Sequence, residues 1–405
     1  MLTVLRDITP DNTEKKALLN TAGAFIKKLN SKLNKEGKAI LGGSVAKNTW
    51  LKGDHDIDIF VMFNKKYKKE DISSILEKRL KNLGDINKIS GIRKVHGSRD
   101  YFQIRKEPYT FEIVPIININ KAKNAVNITD VSPLHSKWVS KRANKKILDQ
   151  IRLTKAFCKA NNIYGAESYI KGFSGYTLEI LTIYYKSFSK LMKEAVNWKK
   201  GQIIDVEKHF DGLNKSKESP LIVIDPVQHD RNTSAALSEN KFNKFIELAK
   251  EFNRNPSREF FIRKKVSLDD LKGAVILKAI PLKGKNDVVG SKLLKSFEFI
   301  AKRLKEEGYK IDDYNWEWNK HALFWYFVKN KTLPKKYKHF GPPVKEEEHL
   351  KKFKEKYKNK ELKKQGNRVY IELKRENPYV LDFLKKLLKH LYLRDKVKDI
   401  GVLKE

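Results

Sequence analysis

Apolar residues recur at helical spacing through Leu18, Ala22, Phe25, Ile26, Leu29 and Leu33, and this period predicts an amphipathic helix near the N-terminus. Thr9-Pro10 ahead of it reads as an N-cap and first helical residue. The pattern then shortens to that of strands. Ala39 to Leu41 predicts a strand, Gly42-Gly43-Ser44 a turn, and Val45 to Trp50 a short helix. In the following strand, which runs to Phe63, acidic and apolar residues alternate: Asp56, Ile57, Asp58, Ile59. A polar helix is expected around Glu70 to Leu83, and further strands near Phe102 to Arg105 and Thr110 to Ile117. The first 140 or so residues therefore predict a small mixed sheet with helices.

From about Lys145 to Asn253 the pattern is mainly helical, with Ile151 to Asn162 and Tyr176 to Leu191 as examples. Asn255-Pro256-Ser257 marks a boundary. Beyond it, Ala274 to Ile280 predicts a strand and Val289 to Lys305 a helix. Tyr309 to Trp318 and Leu323 to Val328 predict two more strands, a βαββ run like part of a ferredoxin-like sheet. Lys331 to Lys364 is lysine-rich and partly helical, Val369 to Leu373 is a strand, and Pro378 to Tyr392 closes the chain as an amphipathic helix. The expected organisation is α+β and multidomain, with domains over 1–140, 141–255 and 256–405.

Composition sharpens this picture. At 405 residues, 40% hydrophobic and 11% aromatic, the chain has material for two or three cores and is not of the disordered class. A formal net charge of +37 attracts polyanions strongly. Aromatics interleave with the basic residues at Lys137-Trp138, Trp198-Lys199-Lys200 and Lys336-Tyr337-Lys338-His339-Phe340. That mixture suits RNA, which offers phosphates together with unstacked bases. A lipid-surface protein would need a basic amphipathic helix with a bulky apolar face, and none stands out. Cys158, the single cysteine, excludes an intramolecular disulfide and a cysteine-built zinc site and is expected in a buried helix position. No apolar run approaches membrane-spanning length, and MLTVLRDITP lacks the features of a signal peptide. A cytoplasmic protein with no membrane partner is expected.

The candidate chemistry lies in GGSVAKNTWLKGDHDIDIF, residues 42 to 60. In an extended strand Asp56 and Asp58 point the same way while Ile57 and Ile59 point into the core. Two carboxylates held side by side repel unless a cation lies between them, so the pair predicts a divalent-metal site. The preceding glycine-serine turn would present N–H groups to a phosphate. Asp54 shares their parity but follows Gly53 and is expected in a supporting role. Glu112, an acid in the otherwise apolar run Tyr109 to Pro115, is the candidate third carboxylate. Metal and phosphate together imply phosphoryl or nucleotidyl transfer.

Gly42 to Phe60 resembles the nucleotidyltransferase signature G-S followed by D-x-D, shared by DNA polymerase β-like enzymes. Further segments narrow the resemblance to archaeal, class I CCA-adding enzymes. These are Ser132 to Trp138, Lys159 to Glu167, Gly172 to Tyr176, Asp225-Pro226-Val227 with Arg231-Asn232, and Phe340-Gly341-Pro342-Pro343. They occur in the expected order over nearly the whole chain.

The resemblance implies a polymerase β-like head, a helical central domain contributing to the nucleotide pocket, and a ferredoxin- or RRM-like C-terminal body with a basic tail. It implies template-independent addition of C, C and A to the tRNA 3′ end from CTP and ATP with Mg²⁺. Asp56, Asp58 and Glu112 would be catalytic and hold the metals, glutamate standing at 112 where relatives mostly have aspartate. Gly43 and Ser44 would contact the triphosphate with Lys47 and Asn48 close behind. Lys155 and Tyr164 would grip it from the helical domain, and His135 and Arg231 would lie near the incoming base. The partner would be tRNA, met at its acceptor stem and at its elbow, with Lys335 to Lys364 as the elbow candidate; relatives of this kind can be homodimers. The alternatives are a poly(A) polymerase, which shares the catalytic strand but uses ATP alone, and a non-catalytic RNA-binding protein, against which the intact acids argue.

Overall fold

The computed structural model describes residues 1–83, 91–264 and 266–404. They form two units, Met1–Lys264 and Lys265–Glu405. The N-terminal stretch folds as two helices, α1 (Leu2–Ile8) and α2 (Asn12–Asn30). Asp11 caps α2, accepting the Glu14 N–H at 2.9 Å. Thr9-Pro10 therefore links the helices and does not start one: a carboxylate satisfies an orphan N–H that proline leaves open. Next come β1 (Gly37–Leu41), α3 (Gly43–Ala46), β2 (Asp56–Phe63), α4 (Ile72–Lys81), β3 (Arg93–Val95), β4 (Tyr101–Lys106) and β5 (Tyr109–Ile117). The five strands form one sheet in the order β1-β2-β5-β4-β3. β2 and β5 are parallel and the other pairs antiparallel. Ile57, Ile59 and Val61 of β2 and Phe111 and Ile113 of β5 pack with Leu18 and Leu29 of α2 and Leu76 and Leu80 of α4. Burying one face of the sheet leaves the aspartates on the other, as the alternation predicts.

α5 (Ser132–Arg142), α6 (Lys145–Ala160), α7 (Gly175–Tyr185) and α8 (Phe188–Ala195) follow. The helical stretch expected over Tyr176 to Leu191 is two helices, because Lys186 adopts the left-handed conformation (φ 63°) and Ser187 caps α8. β6 (Gln202–Ile204), β7 (Leu221–Asp225) and β8 (Gln228–Asn232) add a small sheet within the helical region, before α9 (Glu239–Arg254). A second core gathers Phe157, Phe173, Phe188, Phe245 and Phe252, with Cys158 fully buried among them. The unit ends at Lys264, beyond Asn255-Pro256-Ser257, because Phe260 still stacks on Phe157 at 6.0 Å.

The second unit contains β9 (Val275–Pro281), α10 (Asn286–Glu307), β10 (Ile311–Trp318) and β11 (Ala322–Val328), then β12 (Lys336–Pro343), α11 (Glu347–Lys356), β13 (Leu362–Gln365) and β14 (Arg368–Lys374). α12 (Val380–Leu387), α13 (Leu391–Arg394) and β15 (Val397–Lys404) complete it. One sheet has the order β10-β11-β9-β15 and another β12-β14-β13. The helix expected over Pro378 to Tyr392 does not close the chain: it splits in two, and β15 returns to pair with β9 and complete the first sheet. Lys331 to Lys364 is two strands flanking one helix. No helix among the described residues is long and apolar enough to cross a membrane.

Candidate active site

Parallel pairing sets Asp58 directly opposite Glu112, and Asp56 opposite Thr110. Residues opposite one another share a sheet face, so the three acids predicted from the sequence lie on one face of neighbouring strands. Gln103 of β4 stands opposite Glu112 on the same face and donates to its Oε1 at 2.7 Å. Burial, then the Glu112 and Asp56 charges, push the Asp58 carboxyl up to about 6 against the pull of Lys47. Burial and the Asp54 charge raise Asp56, and burial and the Asp56 charge raise Glu112. Three carboxylates that resist ionising together form a site lacking positive charge. Asp54 is set apart, its two oxygens 2.7 and 2.8 Å from Lys159 Nζ.

Glycine at 43 has a local cause. Its φ is +57°, and a Cβ there would stand 1.6 Å from Asp58 Oδ2. The turn backbone thus lies against the Asp58 carboxylate, where only glycine fits. The Gly42 N–H donates to the Asp58 carbonyl at 2.8 Å, joining turn and strand. Ser44 follows in α3, half-buried.

Lys47 and Lys155 converge on Glu179 of α7, a residue that the sequence reading missed. Lys47 Nζ donates to Glu179 Oε2 and Lys155 Nζ to Oε1, each at 2.7 Å. Thr49 Oγ1 also donates to Oε1 at 2.7 Å and accepts from Lys155 at 2.9 Å. Glu179 is fully buried, yet its carboxyl falls to about 2, because the two ammonium groups outweigh the burial that opposes ionisation. Lys155 is 3% exposed, its ammonium held between Glu179 and Thr49. Arg152, also missed, donates to the Asn48 carbonyl at 2.6 Å and to Asn48 Oδ1 at 2.9 Å, tying the turn segment to α6. Tyr164 is half-buried beside this group, with Lys159 over its ring at 5.2 Å.

His135 and Arg231 meet at a second buried acid, Asp225. A lone acid inside an apolar run, the signal that singled out Glu112, also marks Glu179 in Leu178-Glu179-Ile180-Leu181 and Asp225 after Leu221 to Ile224. Gln103 carries no comparable signal.

The residues present suit a hard divalent cation: the donors are all carboxylates, burial and their mutual repulsion outweigh the pull of the nearby lysines, and backbone packs against one of them. Among the described residues no three His, Cys, Asp or Glu side chains stand close enough to ligate one ion as they lie; the acids are neighbours on a sheet, with Glu112 turned to Gln103.

The fold and these acids define a nucleotidyltransferase. The nucleotidyltransferase domain family matches residues 24–106, which include Asp56 and Asp58 but stop short of Glu112. The second domain of tRNA nucleotidyltransferase matches 149–262, and the C-terminal domain of CCA-adding enzyme matches 280–399. The chain is 37% identical to a CCA-adding enzyme of Nanoarchaeum equitans, covering 82% of each chain. It is 31% identical to one of Methanocaldococcus jannaschii, covering 95% of this chain and 89% of that one. The chain belongs to the CCA-adding enzyme family of tRNA nucleotidyltransferases. The Cid1 poly(U) polymerase shares the fold at 10% identity, with a TM-score of 0.50 over 65% of this chain and 97% of that chain.

Proposed function

We propose that this chain adds C, C and A to the 3′ end of tRNA without a template, taking CTP and ATP and releasing pyrophosphate. The observation that carries the reading is the parallel register that sets Asp58 against Glu112, with Asp56 on the same face, in a chain of this family. Asp56, Asp58 and Glu112 would hold Mg²⁺, which when bound neutralises charge on the reacting phosphate and on the pyrophosphate. The tRNA 3′-oxygen forms a bond to the α-phosphorus of the bound nucleotide as the bond to pyrophosphate breaks. There is little covalent work for side chains, so the protein contributes position and charge.

Each part of the site then has a role in this reading. Gly43 and Ser44 approach the triphosphate closely, the first because it has no side chain. Lys47 and Lys155 supply positive charge, and Glu179 fixes both ammonium groups in place; Tyr164 flanks them. His135 and Arg231 face the base. A guanidinium fork discriminates base edges by about 1–3 kcal/mol for each bidentate pair.

We read the first unit as two domains, since it has two separate cores, and the second as the tRNA-holding body. Its sheet order supports a ferredoxin-like fold: counting only the four strands of the β9 sheet in chain order, they run 2-3-1-4, all antiparallel, with α10 and α12 among the intervening helices. The β12–α11–β13–β14 segment, with Phe340 exposed and Lys338 over the Tyr370 ring at 4.9 Å, is the elbow candidate. A tRNA substrate fits a cytoplasmic protein.

The test pairs activity with binding. Asp56→Asn and Asp58→Asn should each abolish incorporation of both C and A while tRNA affinity stays within about twofold, since neither acid attracts a polyanion. Near-normal turnover in either variant would refute the assignment.

A further inference from the structure

Asp225 ends β7 with its side chain fully buried, yet it is an anion with four donors. Its Oδ1 accepts from the Val227 N–H at 3.1 Å and from the Tyr176 hydroxyl at 3.2 Å. Its Oδ2 accepts from Arg231 Nη1 at 2.8 Å and from His135 Nε2 at 2.9 Å. An ionised carboxylate has about four acceptor sites, so all are used. The carboxyl stays below its ordinary value despite burial, because His135 and Arg231 offset that cost.

A carboxylate only accepts, which decides the histidine's proton. Nε2 must carry hydrogen to bond Asp225, so a neutral His135 has a bare lone pair on Nδ1. Arg231 Nη1 also lies 3.3 Å from Nε2; with both nitrogens protonated, the two donors share one acceptor oxygen. The Tyr176 ring packs on the imidazole at 4.2 Å between centroids. The charged and titratable groups around His135 are Asp225, Arg231, Lys47 and Tyr176. Burial and the two cations outweigh Asp225 and keep the imidazole below its ordinary value, consistent with a neutral ring.

We propose that Asp225 is a positioning residue for base selection: it fixes His135 as an Nδ1 acceptor beside the Arg231 donor, a pair that suits bases carrying an exocyclic amine. Cytosine and adenine share such an edge, an amino donor next to a ring-nitrogen acceptor. Uracil and guanine carry a carbonyl acceptor next to a ring N–H donor. An Nδ1 acceptor with a guanidinium donor matches the first pattern and opposes the second. The inference rests on the CTP and ATP reading above and adds to it the group that orients the readers.

The test measures single-nucleotide incorporation on tRNA lacking its terminus, with CTP, ATP, UTP and GTP separately. In Asp225→Asn one of the two acceptor oxygens becomes an NH2 donor, and the negative charge that holds His135 and Arg231 together is lost. We expect kcat/KM for CTP and ATP to fall about 10- to 100-fold while UTP and GTP fall less than threefold, so selectivity collapses. Tyr176→Phe, which removes only an Oδ1 donor, should keep selectivity within about threefold. Equal losses on all four nucleotides would mean a merely structural acid and overturn the proposal. A second measurement needs no substitution at the hub. Long-range ¹H–¹⁵N spectra of histidine-labelled protein, assigned with His135→Gln, should show His135 as the neutral Nε2–H tautomer from pH 6.5 to 8. An Nδ1–H tautomer or an imidazolium across that range would overturn it. If wild type incorporates neither C nor A, the functional reading fails instead, and the tautomer result still stands or falls alone.

Discussion

Replacing Asp58 by the near-isosteric asparagine should cost all activity and yet stabilise the metal-free protein. Burial and the neighbouring acids push the Asp58 carboxyl up to about 6 in the folded chain, against an ordinary 3.8. That difference of about two units, at about 1.4 kcal/mol each, is about 3 kcal/mol of strain in keeping the carboxylate ionised at neutral pH. The sign follows from the raised folded value. Above about pH 6 the penalty is present in full; it is relieved as pH falls through 3.8, below which both states are protonated. Asp58→Asn removes the charge, so in EDTA at pH 7.5 it should unfold later by up to about 3 kcal/mol, roughly 6–12 °C for a unit of this size. Differential scanning calorimetry checks this. The gain should shrink by about half at pH 5, and Mg²⁺ should raise the wild-type Tm more than the variant's. A variant as stable as wild type, or less stable, in EDTA at pH 7.5 would refute the claim that burial and the neighbouring acids hold this carboxylate in an unfavourable charged state.

Gly43→Ala should lower kcat at least 100-fold and destabilise by about 1–3 kcal/mol, because alanine meets both the positive φ and the Asp58 carboxylate; turnover and urea unfolding together check it. Glu179→Ala should destabilise by about 3–5 kcal/mol by leaving two ammonium groups unpaired, and calorimetry decides. The Glu179 contribution is complete above its ordinary 4.5 and is lost as pH falls toward about 2, so the Glu179→Ala difference should narrow in acid. Neutralising Lys336, Lys338 and Lys364 together should raise KM for whole tRNA several-fold more than for a minihelix stem and flatten the salt dependence of binding; equal effects on both RNAs would remove the elbow assignment.

What could be read from the chain divides along physical lines. The β2 strand was legible because one buried face imposes a period of two, which puts Asp56 and Asp58 on the other. The break at Gly42 was legible, though α3 begins at Gly43 where a turn was expected, and the need for glycine there, the carboxylate against Gly43, depends on packing. β7 escaped because Leu221 to Asp225 is buried throughout, and a short apolar run has no period to distinguish strand from helix. β15 escaped because charge and Gly401 interrupt its alternation and its pairing with β9 is remote in sequence. The partners of the predicted site residues were beyond reach for the same reason. Thr49 meets Glu179 across 130 residues, and His135 meets Asp225 across 90. A lysine at 155 reads as a free cation until its counter-ion is placed.

In the proposed function an acid cluster on β2 and β5 extends tRNA by a defined three-nucleotide end. Sequencing the products of wild-type protein on tRNA lacking that end, with and without EDTA, tests it most directly. With Mg²⁺, CTP alone should yield two added cytidines, and CTP with ATP a single CCA terminus; chelation should abolish both. A homopolymeric tail from ATP alone, or extension that survives EDTA, would contradict it.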